Sequence, residues 1–587
     1  MRSPDFATRT GPEIAVLAPE SGAGEPTGPE GGADRSQRPS WADLSSIRIP
    51  YALAIAVAAS VLAFAWILYG DRKLDFYFDE WAWVDRSSHW TLRDYFLPHN
   101  EHWSTVPMLV YKLLFEIQGA HSYLPFLGAM ALAHVVAGFL LFLIVRGRAG
   151  DALALAATAI FLFIGTGAED LYWAFQLGFD ASVMFGLLAL YLMHPREAGR
   201  VRQLAGFAAM LLALASSGIG LFYCAAVGVD MALDRERRRR LWTVAVSAVV
   251  YVTWYEMFGK AGVRAAGDRP LSLSTIEGLV QYVPSGIGAV VAGVFGAPSG
   301  YSQLMLPLVL VAVALMWYRE RRVDSLVLGV VAGLVFQFTL TGLARAQYGT
   351  LQADSSRYIG AAAPLVLIVL ADAARRLPSS RVTVAVLAAV SLVALFGNVT
   401  ALHDAQTARN AEAAFQKDEL ETLWLFRDAP DLKGSAVVDT NNMPTLTADD
   451  YISSRRNLGS PLPGVSLSQL SRLRNAPVNQ VMRNVMPLVT RTLPRRAPAS
   501  ARTCTSVGLS GGTVNLQADG GSTFYVTASS IDSVAIEYWY QGPSAGYTPQ
   551  AVTVAPGTTL AVTLPQTGMD VTWHVSIANS APAEVCR

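Results

Sequence analysis

The sequence has few charged residues. Asp, Glu, Lys and Arg together make up 15% of its 587 residues, whereas a soluble protein of this length carries about a quarter. The formal net charge is +0, so no overall basic or acidic field favours nucleic acid as a partner. The composition therefore excludes an ordinary soluble protein and argues against a nucleic-acid-binding one.

Cysteine and two common motifs are also scarce or missing. Of the three cysteines, Cys224 lies in an apolar run, while Cys504 and Cys586 frame the last part of the chain. A disulfide between these two would persist only in an oxidising compartment; the alternative is two unpaired thiols. The sequence contains no GxxxxGK[ST] segment, the motif that would suggest ATP-driven transport. Its N-terminal segment also lacks the basic start followed directly by an apolar core that is typical of a signal peptide.

Long apolar runs are what the chain has instead, and 52% of its residues are hydrophobic. Runs of roughly 18 or more apolar residues indicate membrane-spanning helices. The sequence therefore predicts a polytopic α-helical membrane protein with about 11 transmembrane helices. The predicted spans are 49–69, 123–145, 152–166, 178–193, 204–216, 219–233, 241–258, 303–318, 325–343, 358–374 and 382–401.

Composition divides the chain into four parts. Residues 1–46 are rich in Gly, Pro, Glu and Ser, so they predict a disordered segment. Residues 47–402 form the transmembrane domain and 403–500 a mixed α/β region. Residues 501–587 alternate short apolar strands with Gly, Pro, Ser and Asp turns, which predicts a β-sandwich-like domain. Its aromatics Trp539 and Tyr540 either stack on sugar rings or fill the core between the sheets.

Arginine-rich loops set the predicted topology. The loops RGRAG, HPREAGRVR, DRERRRR, YRERR and RRLPSSR all lie in the cytoplasm under the positive-inside rule. That placement requires residues 204–233 to form two short helices that turn at SSGIG. It also requires residues 276–296 to dip back or lie in a cavity. The protein is then a multi-pass protein of the cytoplasmic membrane, with a cytoplasmic N terminus and an extracytoplasmic C-terminal domain.

An acidic pair, Asp79 and Glu80, follows the first span in the stretch FYFDEWAWVD. Ionisable groups at a membrane are costly and therefore indicate a functional site. Adjacent carboxylates repel each other, so one of them can hold a raised pKa and act as a general base. The alternative is solvated surface, against which the flanking aromatic residues argue.

Three further clusters lie in the predicted outer loops. The segment 98–103, PHNEHW, supplies His99, Asn100, Glu101 and His102. These side chains could bind substrate or order the loop, and a divalent metal at His99, Glu101 and His102 is a third alternative. The segment 165–179 supplies Glu169 and Asp170, and 344–358 supplies Arg345, Arg357 and Tyr358. Arg357 is suited to clamp a phosphate, although arginine at a helix end can simply snorkel.

The order of these features resembles the GT-C class of membrane glycosyltransferases, such as protein O-mannosyltransferases and lipid A aminoarabinose transferases. The resemblance covers residues 48–460, because the stretch 439–460 is similar to tails of uncharacterised bacterial members. It implies that the Asp79–Glu80 pair is the catalytic acidic motif and that Arg357 lies near a lipid phosphate. Composition also hints at a bacterial source.

The resemblance implies a reaction as well. A polyprenyl-phosphate-linked sugar would be the donor and an envelope glycan, lipid or protein the acceptor, with membrane lipid around the site. Asp79 would take the proton of the acceptor hydroxyl, and Arg357 with Arg345 would stabilise the leaving phosphate, with inversion at the anomeric carbon. The sequence identifies no definite cofactor, and a divalent metal is left open. The alternatives are a transporter or flippase of lipid-linked glycans and a membrane-anchored assembly protein.

Overall fold

The computed structural model describes residues 48–265, 273–320, 323–494, 503–507, 512–528, 532–540, 550–580 and 582–587. The predicted disordered segment 1–46 lies outside these residues. In the described part, eight helices are long and apolar enough to cross a membrane. The protein is thus a polytopic α-helical membrane protein with a β-rich C-terminal part.

Within the described residues, the helical body contains fourteen α-helices and the first part of a fifteenth. They are α1 (Ala52–Gly70), α2 (Glu80–Arg86), α3 (Thr105–Gln118), α4 (Leu124–Leu162), α5 (Glu169–Tyr172), α6 (Leu177–Met193), α7 (Arg200–Ser216), α8 (Gly220–Leu233), α9 (Leu241–Trp254), α10 (Lys260–Ala265), α11 (Leu273–Val294), α12 (Ser302–Glu320), α13 (Ser325–Arg345), α14 (Ser356–Ala374) and α15 (Arg381–Leu425). A π-helical turn, Tyr255–Gly259, joins α9 to α10.

Two glycine-containing turns explain why the number of long helices differs from the number of predicted spans. The continuous segment α4 bends at Gly150, which has a φ of 84°, so it accounts for the predicted spans 123–145 and 152–166. Residues 204–233 form the two short helices α7 and α8, of 17 and 14 residues. The turn between them contains Gly218, as the arrangement of the basic loops requires.

The arginine-rich loops meet at one end of the helical body. Arg148 donates to Asp372 over 2.9 Å, which joins the middle of α4 to the end of α14. Arg240 donates to Pro195 O over 2.7 Å, which joins the loops that follow α8 and α6. The described residues of the loops RGRAG, HPREAGRVR, DRERRRR and RRLPSSR therefore lie together, at the end of the helical body that we call the arginine-rich end.

The segment α11 has both of its ends near loops that belong to the opposite end. Its first part contacts the turn Ala346–Tyr348. At its last turn, Gly293 O accepts from Asn398 Nδ2 over 3.0 Å, and Asn398 Oδ1 accepts from Thr166 N over 3.3 Å. The described ends of α11 therefore lie at the Ala346–Tyr348 turn and at the Asn398–Thr166 contact, and the dip of residues 276–296 into the membrane stays a prediction.

The tail begins inside a helix. α15 continues through residue 402, the predicted end of the transmembrane domain, as far as Leu425. The hairpin β1 (Val437–Asp439) and β2 (Met443–Thr447) follows, and then helices α16 (Ala448–Leu458), α17 (Leu467–Leu470) and α18 (Asn475–Val485). A capping box of Thr447 and Asp450 starts α16, which satisfies two of its free backbone N–H groups.

The last part of the chain forms two antiparallel sheets. One has the order β5 (Gly512–Asp519), β10 (Thr572–Asn579), β7 (Asp532–Trp539) and β8 (Gln550–Val554). The other has the order β3 (Val489–Leu493), β9 (Thr559–Thr563), β6 (Thr523–Ala528), β11 (Ala583–Cys586) and β4 (Cys504–Val507). Alternate residues of both sheets, such as Val526 and Ile536, are fully buried, as in a two-layer β fold. The first strand of the second sheet precedes the predicted boundary at 501.

The sequence-predicted aromatic and cysteine residues have defined places in this β part. Trp539 stacks on the His574 ring at 6.3 Å, and Tyr540 N donates to Asn479 Oδ1 over 3.1 Å. Aromatic residues in the core between the sheets include Phe524, Tyr538 and Trp573, each at most 2% exposed. Cys504 and Cys586 form a disulfide that joins β4 to β11.

Asn398 offers a test of the packing between α11, α15 and the loop at Thr166. Its side chain is fully buried and bonds the Gly293 and Ala394 carbonyls and Thr166. We expect Asn398→Ala to lower the free energy of unfolding by about 1–3 kcal/mol, because it leaves buried polar groups unpaired. Thermal unfolding of the purified protein in detergent measures this. The exposed Asn457→Ala is the control; equal shifts for the two variants would refute the role of Asn398.

Candidate functional site

The segment between α1 and α3 lies between the helical body and the tail. Phe78 N donates to Asn442 O over 3.1 Å, which joins this segment to the β1–β2 hairpin. The Trp81 ring meets Tyr451 of α16 edge-on at 5.7 Å. Tail and first loop therefore position the acidic pair together.

The two carboxylates of the acidic pair have different environments. Glu80 is fully buried. Its Oε1 accepts from the Tyr111 hydroxyl over 2.5 Å, and its Oε2 accepts from Tyr77 N over 2.8 Å, while the Tyr123 hydroxyl lies 3.2 Å from both oxygens. Burial raises the pKa of Glu80 to about 8. Glu80 therefore anchors the start of α2, and the neighbouring Asp79 is the carboxylate that reaches solvent.

Asp79 faces an imidazole and an amide. Asn100 Nδ2 donates to Asp79 Oδ2 over 3.3 Å, and His99 Nε2 lies 3.9 Å from the same oxygen. His99 Nδ1 accepts from Trp83 Nε1 over 3.1 Å. An indole nitrogen only donates, so the proton of the neutral His99 ring is on Nε2, toward Asp79. The Asp79 side chain is 21% exposed, so an incoming group can reach its carboxylate.

Backbone strain flanks Asp79 on both sides. Phe78 precedes it with a φ of 49°, and Asn100 donates to it with a φ of 51°. Such left-handed conformations cost of order 1–3 kcal/mol in a non-glycine residue and concentrate at functional sites. The contacts around them enforce the strain: Phe78 is held by Asn442, and a side chain at Gly262 would lie 1.8 Å from Asn100 O.

The side chains of the 98–103 segment point to different partners. His99 contacts Asp79 and Trp83, and Glu101 Oε1 accepts from Arg345 Nη2 over 2.5 Å. His102 is half-buried, with its Nδ1 3.4 Å from Gly218 N, and desolvation of its ring lowers its pKa to about 4. Among the described residues, the ligand atoms of His99, Glu101 and His102 do not converge on one point. The arrangement does not fit the suggested metal site, and no chemistry below depends on a metal.

Two arginines lie beside one tyrosine ring. The guanidinium carbons of Arg345 and Arg357 are each 5.7 Å from the centre of the Tyr358 ring, and Arg345 also donates to the Tyr358 hydroxyl. Arg357 Nη1 lies 3.6 Å from Glu169 Oε1. Its Nε is buried and has no hydrogen-bond partner in the described part of the chain. This arginine pair, Arg345 and Arg357, is suited to bind an anion.

The second acidic pair divides as the first does. Glu169 faces Arg357, while Asp170 is 3% exposed and turns into the helical body. Burial and the nearby carboxylates of Asp180 and Glu169 raise the pKa of Asp170 well above its ordinary value. A Cβ at Gly360 would lie 2.3 Å from Asp170 Oδ2, so this close approach requires glycine. Asp170 is thus buried against α14, whereas Glu169 faces the arginine pair.

An aromatic wall joins the two acidic pairs. Trp173 meets Tyr77 at 5.4 Å and stacks on Phe175 at 5.2 Å, and Phe175 in turn lies 4.7 Å from Trp83. The Arg409 guanidinium covers Tyr77 at 3.5 Å, a cation–π contact. The wall therefore closes one side of the site.

The sequence analysis missed several residues of this site. Tyr111 and Tyr123 look like ordinary membrane-interface aromatics in the sequence, and only their contact with Glu80 assigns them a role. Arg409 lies in α15, within the predicted mixed α/β region 403–500 and far along the chain from Tyr77. The sequence does show many Tyr and Trp residues near its acidic residues. That pattern does not indicate which aromatic residue contacts which carboxylate.

The sequence matches no protein-family model and no curated protein. Two solved structures are similar to the chain, namely those of ArnT from Cupriavidus metallidurans bound to undecaprenyl phosphate and in the apo state. Their TM-scores are 0.42 and 0.44, with 14% sequence identity in each case, and the match covers 75% of this chain and 92% of that chain. Likeness of this degree decides neither the family nor the function of this chain.

Variants of Glu80 test its role as an anchor. Glu80→Ala removes the acceptor of two tyrosine hydroxyls and a backbone N–H. We expect the free energy of unfolding to fall by about 1–3 kcal/mol for each donor left unpaired, and a lower thermal unfolding temperature would report this. Glu80→Gln keeps an oxygen acceptor and should unfold close to wild type at acidic pH. Equal destabilisation by both variants would contradict the anchor role.

The raised pKa of Glu80 also predicts a pH dependence. The folded protein binds a proton at Glu80 up to about pH 8, whereas the unfolded chain releases it near 4.5. The stability due to this group is therefore fully present below 4.5 and is lost as the pH rises toward 8. Glu80→Gln cannot ionise, so its unfolding temperature should fall less over this window. Parallel curves for the two proteins would contradict the buried, protonated carboxyl.

Proposed function

We propose that this protein transfers a sugar from a polyprenyl-phosphate-linked donor to a cell-envelope acceptor, in the manner of GT-C enzymes. The observation that carries the proposal is that one short loop joins a candidate base to the arginine pair. His99 and Asn100 face Asp79, and the next residue, Glu101, binds Arg345. A general base and an anion site next to each other are what displacement of a phosphate requires.

The arginine pair would bind the phosphate of the donor. In the transfer step the bond between the anomeric carbon and the phosphate oxygen breaks, and the electron pair leaves with the phosphate. Guanidinium groups bind such an oxyanion through paired hydrogen bonds. Glu101 and Glu169 hold the two arginines in place before the donor arrives, so the site is organised in advance, the usual source of electrostatic catalysis.

Asp79 would act as the general base. It accepts the proton of the acceptor hydroxyl while that oxygen forms its bond to the anomeric carbon. Asn100 donates to Asp79 Oδ2 and so positions the carboxylate, and His99 Nε2 lies 3.9 Å from the same oxygen. Attack from the side opposite the phosphate inverts the anomeric configuration. Glu80, buried under two tyrosines, is a positioning residue in this mechanism.

The position of the site suits a lipid-linked substrate. Arg345 ends α13 and Arg357 lies in the first turn of α14, two helices that are long and apolar enough to cross a membrane. A phosphate bound there would leave its polyprenyl chain free to run along these helices into the bilayer. The aromatic wall of Trp173 and Phe175 offers ring faces on which a sugar can stack.

We place this reaction on the extracytoplasmic face. The arginine-rich loops, which the positive-inside rule assigns to the cytoplasm, gather at the other end of the helical body. The disulfide of Cys504 and Cys586 also suits an oxidising compartment. The tail contacts the first loop through Asn442 and Tyr451. It would therefore cover the extracytoplasmic side of the site and lie next to the bound acceptor.

Glycan and glycolipid composition of a deletion strain tests the proposal. We expect a sugar to be missing, and wild type to restore it. Asp79→Asn should not restore it, because it cannot take up a proton. Asp85→Asn is the matched control, since Asp85 lies in α2 near Asp450 and away from the arginine pair. Full restoration by Asp79→Asn at equal expression would refute the general base and favour a transporter or an assembly protein.

Variants of Arg357 test the anion site separately. Arg357→Ala should lower the transfer rate by about 10²–10³-fold, as loss of one oxyanion donor typically does. Arg357→Lys keeps the positive charge but cannot form the paired hydrogen bonds of a guanidinium group. Its rate should therefore lie between those of wild type and Arg357→Ala. Initial rates with a saturating acceptor measure this. Equal rates for all three proteins would contradict a phosphate contact at Arg357.

A further inference from the structure

The arginine-rich end contains a cavity far from the carboxylates of the candidate site. Its volume is about 340 Å³, and it lies between the ends of α4, α6, α7, α13 and α14. Its polar lining includes Arg148, His194, Arg202, Asp324 and Arg375. We propose that this cavity binds the phosphate of an anionic phospholipid headgroup. The proposal is independent of the sugar transfer proposed above.

The cavity has an excess of positive charge. Three arginines line it, and Asp324 is the one carboxylate among the lining residues. Behind the wall, Asp372 accepts from Arg148 over 2.9 Å, from Arg375 over 3.0 Å and from Arg376 over 2.6 Å. A single buried carboxylate is thus shared by three guanidinium groups. With Arg202, four arginines face two carboxylates, which leaves positive charge for an anionic ligand.

Arg202 contributes the least compensated charge. Its Nε and Nη2 donate to the carbonyls of Leu192 and Tyr191 over 2.9 and 2.8 Å, and its guanidinium lies 5.4 Å from the Tyr191 ring centre. These contacts fix its position with neutral partners only. Arg148 adds a buried Nε that has no hydrogen-bond partner in the described part of the chain. Both side chains can therefore donate to a ligand without first losing an ion pair.

The rest of the lining explains why a lipid fits better than a free anion. Leu143, Ile144, Leu190 and Leu326 form an apolar wall beside the arginines. An amphipathic ligand satisfies both surfaces, with its phosphate on the guanidinium groups and its glycerol and first acyl carbons on the leucines. Basic pockets between transmembrane helices bind anionic headgroups in this way. A small soluble phosphate would leave the apolar wall exposed to water.

Binding to the full-length protein in detergent, measured by native mass spectrometry, tests the proposal. The probes are dihexanoyl phosphatidylglycerol, dihexanoyl phosphatidylcholine and inorganic phosphate. We expect the anionic lipid to bind at least about tenfold more tightly than the other two, because charge-assisted hydrogen bonds add to apolar contact. Arg202→Gln and Arg375→Gln should each weaken it about tenfold. The exposed Arg200→Gln of the same helix, a matched change of charge, should leave it unaltered.

Each other outcome overturns a part of the proposal. Inorganic phosphate that binds as tightly as the anionic lipid, and also depends on Arg202, would refute the lipid as the source of the phosphate. Equal binding of the two lipids would refute selection by charge. Anionic-lipid binding that Arg202→Gln, Arg375→Gln and Arg200→Gln all weaken alike would refute this cavity as the place of binding. Should Arg202→Gln fail to fold, Arg202→Lys and Arg375→Gln make the same comparison.

Discussion

The burial of the Glu80 carboxyl against Tyr111 and Tyr123 is the contact on which the site depends. It fixes the first residue of α2, and so the direction of the preceding Asp79. Because burial raises the pKa of Glu80, and the two tyrosine hydroxyls and Tyr77 N surround its carboxyl, the acidic pair divides into one anchor and one more exposed carboxylate, Asp79. Asn442 and Gly262 then hold the strained backbone on either side of it.

The same division of labour recurs at the second acidic pair. Asp170 is buried in the helical body, and Glu169 is left to face Arg357. In each pair the more exposed residue, Asp79 or Glu169, faces other polar side chains of the candidate site. Its buried neighbour, Glu80 or Asp170, holds the backbone in place. The loop from His99 to Glu101 then joins the two halves. Four segments far apart in the sequence thus form one site because each is anchored separately.

The features of the fold that depend on residues close together in the sequence could be predicted from it. Apolar run length indicates the spans, and the arrangement of basic loops requires the α7–α8 turn at Gly218. What depends on distant partners could not be predicted. Nothing local distinguishes Glu80 from Asp79, since Tyr111 and Tyr123 decide between them. The continuity of α15 across residue 402 could not be predicted either, because hydropathy ends near residue 402 while Ala, Glu and Gln keep the same helix going to Leu425.

The most direct test of sugar transfer is whether the protein releases a polyprenyl phosphate. Wild-type protein in lipid nanodiscs would be supplied with sugar-linked polyprenyl phosphate, and with acceptor, from membranes of the deletion strain. If the protein transfers the sugar, we expect free polyprenyl phosphate to accumulate over many turnovers and the sugar to appear on the acceptor with inverted configuration. A donor that stays intact, whether bound or moved across the bilayer, would contradict it.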